Sequence, residues 1–153
     1  MEQKPERLFL LAQRIAEQTR AFFETKEPGQ GDRATNEFMD TLRRVAQATF
    51  GQDYGERTVR EGVGYALDFY FPDEKTAIEV ALSLHQPMTE YERDIFKCLL
   101  GQESGIPIDR VLFIAKPGAS SRQSAPGPKA IADFVRRKFG LSVEVLELVP
   151  PED

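Results

Sequence analysis

The run RVLFIAK, residues 110 to 116, has no polar side chain between its two ends. A strand with one wet face alternates polar and apolar residues, whereas one that is apolar at every position has to be covered on both faces. This excludes an open all-β meander and calls for a sheet sandwiched between helices. The segments that follow supply them: GPKAIADFVRRKFG, 127 to 140, has helical spacing, and LSVEVLEL, 141 to 148, reads as a last strand. At 153 residues and 41% hydrophobic, the chain is long enough for one such core and too short for two. The expectation is a single domain, 1–153.

Upstream of that strand the pattern is helical first. Apolar residues at 8, 11, 12, 15, 22 and 23 predict a helix from about 5 to 25, ended by PGQGD. Asp32 can cap a second helix reaching about Phe50, with a stripe of Phe38, Leu42, Val45 and Thr49. Strands follow at about 57 to 62, 65 to 71 and 76 to 84, then a helix from about 89 to 102 that is closed by glycine. PGASSRQSAPGP, 117 to 128, reads as a mobile surface loop, and residues 149 to 153 as an acidic tail. The predicted fold is α/β, in the order ααβββαβαβ, with a central mixed sheet of about five strands flanked by helices.

The segment ALDFYFPDEKTAIEVALSLH, 66 to 85, places one carboxylate in the middle of each strand of a hairpin. Alternation puts Ala66, Asp68 and Tyr70 on one face of the first strand and Ala77, Glu79, Ala81, Ser83 and His85 on one face of the second. A loop of Pro72 to Lys75, or the tighter Asp73-Glu74, sets the same register and brings Asp68 opposite Glu79. Two unit charges about 5 Å apart repel by roughly 3 kcal/mol at an effective dielectric near 20. Something has to offset that. A hard divalent cation held by both carboxylates and the backbone carbonyl near Val80 is one means; proton sharing or nearby arginines are others.

Other chemistries find little support in the sequence. There is no histidine/cysteine zinc pattern, no phosphate-binding glycine loop and no nucleophile elbow. The lone Cys98 lies in the apolar run IFKCLLG and reads as a small buried hydrophobe, in keeping with a reducing, cytoplasmic setting. No stretch has the length and apolarity of a membrane span. The net charge of −5 argues against general coating of nucleic acid, but residues 104 to 142 carry 7 basic and 2 acidic side chains. That segment is the candidate polyanion surface.

An Asp on the first hairpin strand, a Glu in the apolar AIEV of the second, a helix such as YERDIFKCLL and then the strand RVLFIA together resemble the restriction-endonuclease-like, or PD-(D/E)XK, nuclease superfamily. The resemblance covers about residues 32 to 116. It implies a Mg²⁺- or Mn²⁺-dependent hydrolase of nucleic-acid phosphodiesters, with DNA as the first partner to consider; a homodimer is a candidate form, and no membrane partner is expected. Asp68 and Glu79 then resemble the metal-binding acids; the Val80 carbonyl is the added ligand that the spacing offers, and in the basic segment Arg122, Lys129, Arg136 and Arg137 are the residues expected to hold the phosphate backbone.

The family's lysine position, two residues after Glu79, is Ala81 in this sequence. Lys75 lies four residues from Glu79, too far along a strand to serve. Lys97, on the following helix, is the catalytic candidate that can point back across the sheet, although its stripe with Glu90 and Arg93 favours a solvated position. Glu37 resembles the helix-borne acid that some relatives add. Two alternatives stand beside hydrolysis. One is a catalytically degenerate nuclease fold acting as a nucleic-acid-binding or protein-interaction module. The other is a docking piece whose first helix leaves Leu8, Leu11 and Ile15 uncovered.

Overall fold

A computed structural model describes residues 3–19, 22–23, 30–81 and 87–151. Two compact units emerge, one of residues 1–53 with 148–153 and one of residues 54–147.

The first unit is helical. Helix α1 spans Lys4–Glu17, with Pro5 in its first turn where a missing N–H costs nothing. It ends earlier than the spacing predicts, at the Gln18 cap, and residues 20–21 and 24–29 of the predicted helix lie outside the described residues. Leu8, Ala12, Ile15 and Ala16 are buried, which removes the basis for an uncovered docking face on this helix. Helix α2, Gln30–Phe50, buries Phe38, Leu42 and Ala46. The buried seam thus follows i, i+4, i+8, and the expected Val45 and Thr49 are only half-buried beside it. Phe22 stacks on Phe38 at 4.6 Å. The start of the acidic tail is tied down, because the Gln13 amide donates to Val149 O and accepts from Val149 N.

The second unit holds a five-stranded mixed sheet in the order β1-β2-β3-β4-β5. Its strands are β1 Gly55–Thr58, β2 Ala66–Phe71, β3 Thr76–Val80, β4 Arg110–Ala115 and β5 Ser142–Glu147. The first three pair antiparallel, and β4 and β5 join in parallel. Parallel neighbours need crossovers, provided by α3, Pro87–Glu103, and by α4, Ala119–Gln123, with α5, Pro126–Phe139. The apolar run RVLFIA is β4. Val111, Leu112, Phe113, Ile114 and Ala115 are all fully buried, as a strand apolar at every position requires. On the Val111–Phe113 face, the core gathers Tyr91, Ile95 and Cys98 of α3 and Val135 of α5. Tyr91 lies 5.4 Å from the Phe113 ring.

Two expectations change. The strand predicted over 57–62 ends at Thr58, because Gly62 and Gly64, both at φ +82°, fold residues 59–64 into a turn. The segment 117–128 is not a plain connector but contains α4, which makes the element order differ from the predicted one. The Glu147 carboxylate accepts from Gly118 N and Ser120 N at 3.1 and 2.7 Å and so satisfies amides that a short helix leaves free. These backbone donors, Ser120 first, hold Glu147 below the usual carboxylate range.

Helix α5 closes on Gly140 at φ +63°, whose N–H returns to Arg136 O at 3.1 Å. A side chain there sits in the left-handed region. Gly140→Ala is expected to cost about 1 kcal/mol, a fall in Tm of roughly 2–4 °C for a chain of this size, measurable by thermal denaturation.

Candidate functional site

The hairpin register is the one its even loop dictates. Phe69 pairs with Ile78, Tyr70 with Ala77 and Phe71 with Thr76, and the same register sets Asp68 across from Glu79. The turn is Pro72 to Lys75, closed by Lys75 N donating to Pro72 O at 3.1 Å, so Lys75 is a turn residue at φ +50°.

At the next step beyond Phe69 and Ile78, side chains take over from backbone pairing. Val80 N donates to Asp68 Oδ2 at 2.8 Å, and Ala66 O accepts from Lys97 Nζ at 2.9 Å. Asp68 is half-buried and Glu79 is 2% exposed. Lys97 therefore does not lie on a solvated stripe with Glu90 and Arg93. Its side chain is 11% exposed and its Nζ reaches Glu79 Oε2 at 3.0 Å and Asp94 Oδ1 at 3.1 Å. The reason lies in the helix: Tyr91, Ile95 and Cys98 face the core, Asp94 at the i+3 position of that stripe is carried in with them, and Asp94 supplies the counter-charge that lets Lys97 follow.

The result is an ammonium held by two carboxylates, Glu79 and Asp94, with Asp68 a third acid acting on both of them. Glu79 is pushed well above the ordinary glutamate range by burial, then by Asp68 and Asp94, with Lys97 opposing. Burial also raises Asp94, against the pull of Lys97 and Arg93. Burial alone would lower Lys97, but Glu79 and Asp94 outweigh it and hold the lysine above its usual value, hence charged. Glu79 Oε1 is buried with no hydrogen-bond partner. An orphaned carboxylate oxygen is costly.

No protein-family model, curated protein or solved structure matches the chain. Function therefore has to be argued from the site itself.

Of the sequence candidates, the structure brings together Asp68, Glu79 and Lys97, with Val80 engaged through its amide. Arg122 on α4 and Lys129, Arg136 and Arg137 on α5 are solvent-exposed, and Arg136 lies 3.5 Å from Asp133. Glu37 is exposed on α2, in the other unit. Ser83 and His85, and the predicted strand beyond Ala81, lie outside the described residues. Ala81 is buried, and its N–H pairs with Ile114 O at 2.9 Å. Cys98 is a buried thiol pushed up by burial and then by Glu79, as suits an inert core residue. Asp94 is the member that sequence reasoning missed. Its signal was present, since an acid at i+3 within the stripe Tyr91, Ile95, Cys98 has to be buried and paired.

The oxygen donors that a hard divalent cation would need here are the opposed carboxylates Asp68 and Glu79. Lys97 and Arg93 offset part of the acidic charge, and Glu79 Oε1 stays buried without a hydrogen-bond partner. Among the described residues no group of three or more acidic, histidine or cysteine side chains is arranged to hold a metal ion. Mg²⁺ does not need one, because it is commonly held by one or two carboxylates with water filling the rest. A surface cavity of about 660 Å³ lined by Arg57 to Glu61, Ser104 and Ile106 does not include these acids.

Proposed function

We propose that the unit of residues 54–147 is a restriction-endonuclease-like core that hydrolyses DNA phosphodiesters with Mg²⁺ or Mn²⁺. The observation that carries this reading is the Lys97 ammonium 3.0 Å from Glu79, on the sheet face that Glu79 shares with the opposed Asp68. It provides the positive group that the Ala81 position lacks. The succession of β2, β3, α3 and a parallel β4 supports it as well, being the order in which the resemblance places its motif.

Asp68 and Glu79, with the Val80 carbonyl, are the ligand set. Bound there, a divalent cation supplies an acidified water and neutralises charge at phosphorus. Lys97 faces a phosphate oxygen and stabilises the negative charge that grows on it as the water oxygen bonds to phosphorus and the bridging P–O bond breaks. Ala66 O and Asp94 fix the direction of that ammonium. Arg122, Lys129, Arg136 and Arg137 hold the backbone without reading sequence.

The test is incubation of supercoiled and linear DNA with the protein in Mg²⁺ and in EDTA. Cleavage in Mg²⁺ alone is expected; intact DNA under both conditions would refute hydrolysis. A second reading is favoured by the saturation of Lys97, which offsets the acid repulsion without any cation. It makes the cluster a structural polar core in a degenerate nuclease fold, and it anticipates no response to Mg²⁺.

A further inference from the structure

An ammonium has three N–H donors, and Lys97 has three acceptors: Ala66 O at 2.9 Å, Glu79 Oε2 at 3.0 Å and Asp94 Oδ1 at 3.1 Å. In this state no donor remains for a phosphate oxygen. The three acceptors differ in how firmly they belong to Lys97. Asp94 sits one helical turn before it on α3, so the two move together. Ala66 O is backbone. Glu79 reaches in from β3 and is the one of the three that is also a cation ligand in the reading above, on which this inference rests.

We propose that Asp94 is a positioning residue: when a divalent cation draws Glu79 away from Lys97, Asp94 and Ala66 O keep the Lys97 ammonium seated, and the N–H released from Glu79 turns to the phosphate. The physical case is one of counter-charge. A buried ammonium that loses its one anionic partner is strongly disfavoured. Without Asp94 the cation would have to strip Lys97 of Glu79 and leave it none. With Asp94 in place the ammonium keeps a carboxylate, and the exchange costs far less. Ammonium and cation thus compete for Glu79, and Asp94 sets the terms through Lys97.

The test is a Mn²⁺ titration by calorimetry of the full chain as wild type, D94N, K97Q and D94N/K97Q. Asp94→Asn is expected to weaken Mn²⁺ affinity by roughly 10-fold or more, within the range for outer partners of metal ligands. In the K97Q background the same change is expected to have no effect. Equal weakening in both backgrounds would mean that Asp94 acts through its own charge, and no weakening in either would mean that it does nothing; both overturn the proposal. A second readout needs no lysine variant: the ¹⁵N signal of the Lys97 ammonium in Mg²⁺ should persist in wild type and vanish in D94N, and persistence in both overturns the proposal. A wild type that binds no Mn²⁺ overturns the cation reading itself, and this inference with it.

Discussion

Lys97→Met is expected to destabilise the protein by about 3–5 kcal/mol at neutral pH, the range for removing one partner of a buried ion pair. Methionine keeps the length and apolar stem of the side chain, so the loss reports the charge and not the packing. For a chain of this size it corresponds to a fall in Tm of roughly 6–20 °C. The deficit should depend on pH in a definite sense. Glu79 and Asp94 already lie above their ordinary values, and without Lys97 both are driven further up. The folded variant then holds protons that the unfolded chain has released, so its stability falls as pH rises past the unfolded values near 4. The difference between K97M and wild type is therefore widest at neutral pH and narrows on acidification to about pH 4–5. Denaturant melts at several pH values measure it, and a deficit that does not change with pH would contradict the three-acid cluster.

The second large effect is on hydrolysis. Glu79→Gln removes one charge of the proposed ligand pair while leaving size and shape, and Asp68→Asn does the same on the facing strand. Either is expected to lower Mg²⁺-dependent DNA cleavage by about 10³-fold, roughly 4 kcal/mol of barrier. Stability should respond quite differently. Glu79→Gln replaces a buried acid that disfavours its charged form with a neutral amide, so it is expected to cost less at neutral pH than Lys97→Met. An enzyme that loses activity with little loss of stability identifies the acids as chemistry. Comparable cleavage by wild type and E79Q in single-turnover assays would remove Glu79 from the reaction.

Much of the second unit was legible because a short run apolar at every position marks a strand covered on both faces. VLFIA admitted one interpretation, and an even loop at Pro72 to Lys75 fixed which residue of β2 meets which of β3. What escaped depends on partners distant in sequence. Helix α4 is five residues long, and its amides are satisfied by Glu147, which is 29 residues beyond Gly118; no local pattern announces that. The inward turn of Lys97 was missed for a related reason. Judged by its neighbours Glu90 and Arg93 it belongs to a wet stripe, and only the buried Asp94 explains why a lysine is drawn into the core. The first helix shows the opposite failure, since apolar spacing continued past Glu17 while the helix did not. Apolar periodicity marks burial, and burial does not by itself require a continuous helix.

The most direct measurement is the melting temperature of wild type and the D68N/E79Q double variant with and without Mg²⁺. A ligand at about 100 times its Kd stabilises by roughly 2.7 kcal/mol, a rise of about 5–10 °C for a chain of this length. The predicted result is such a rise in wild type and none in the double variant. No rise in wild type, or the same rise in both, would contradict a cation held between Asp68 and Glu79.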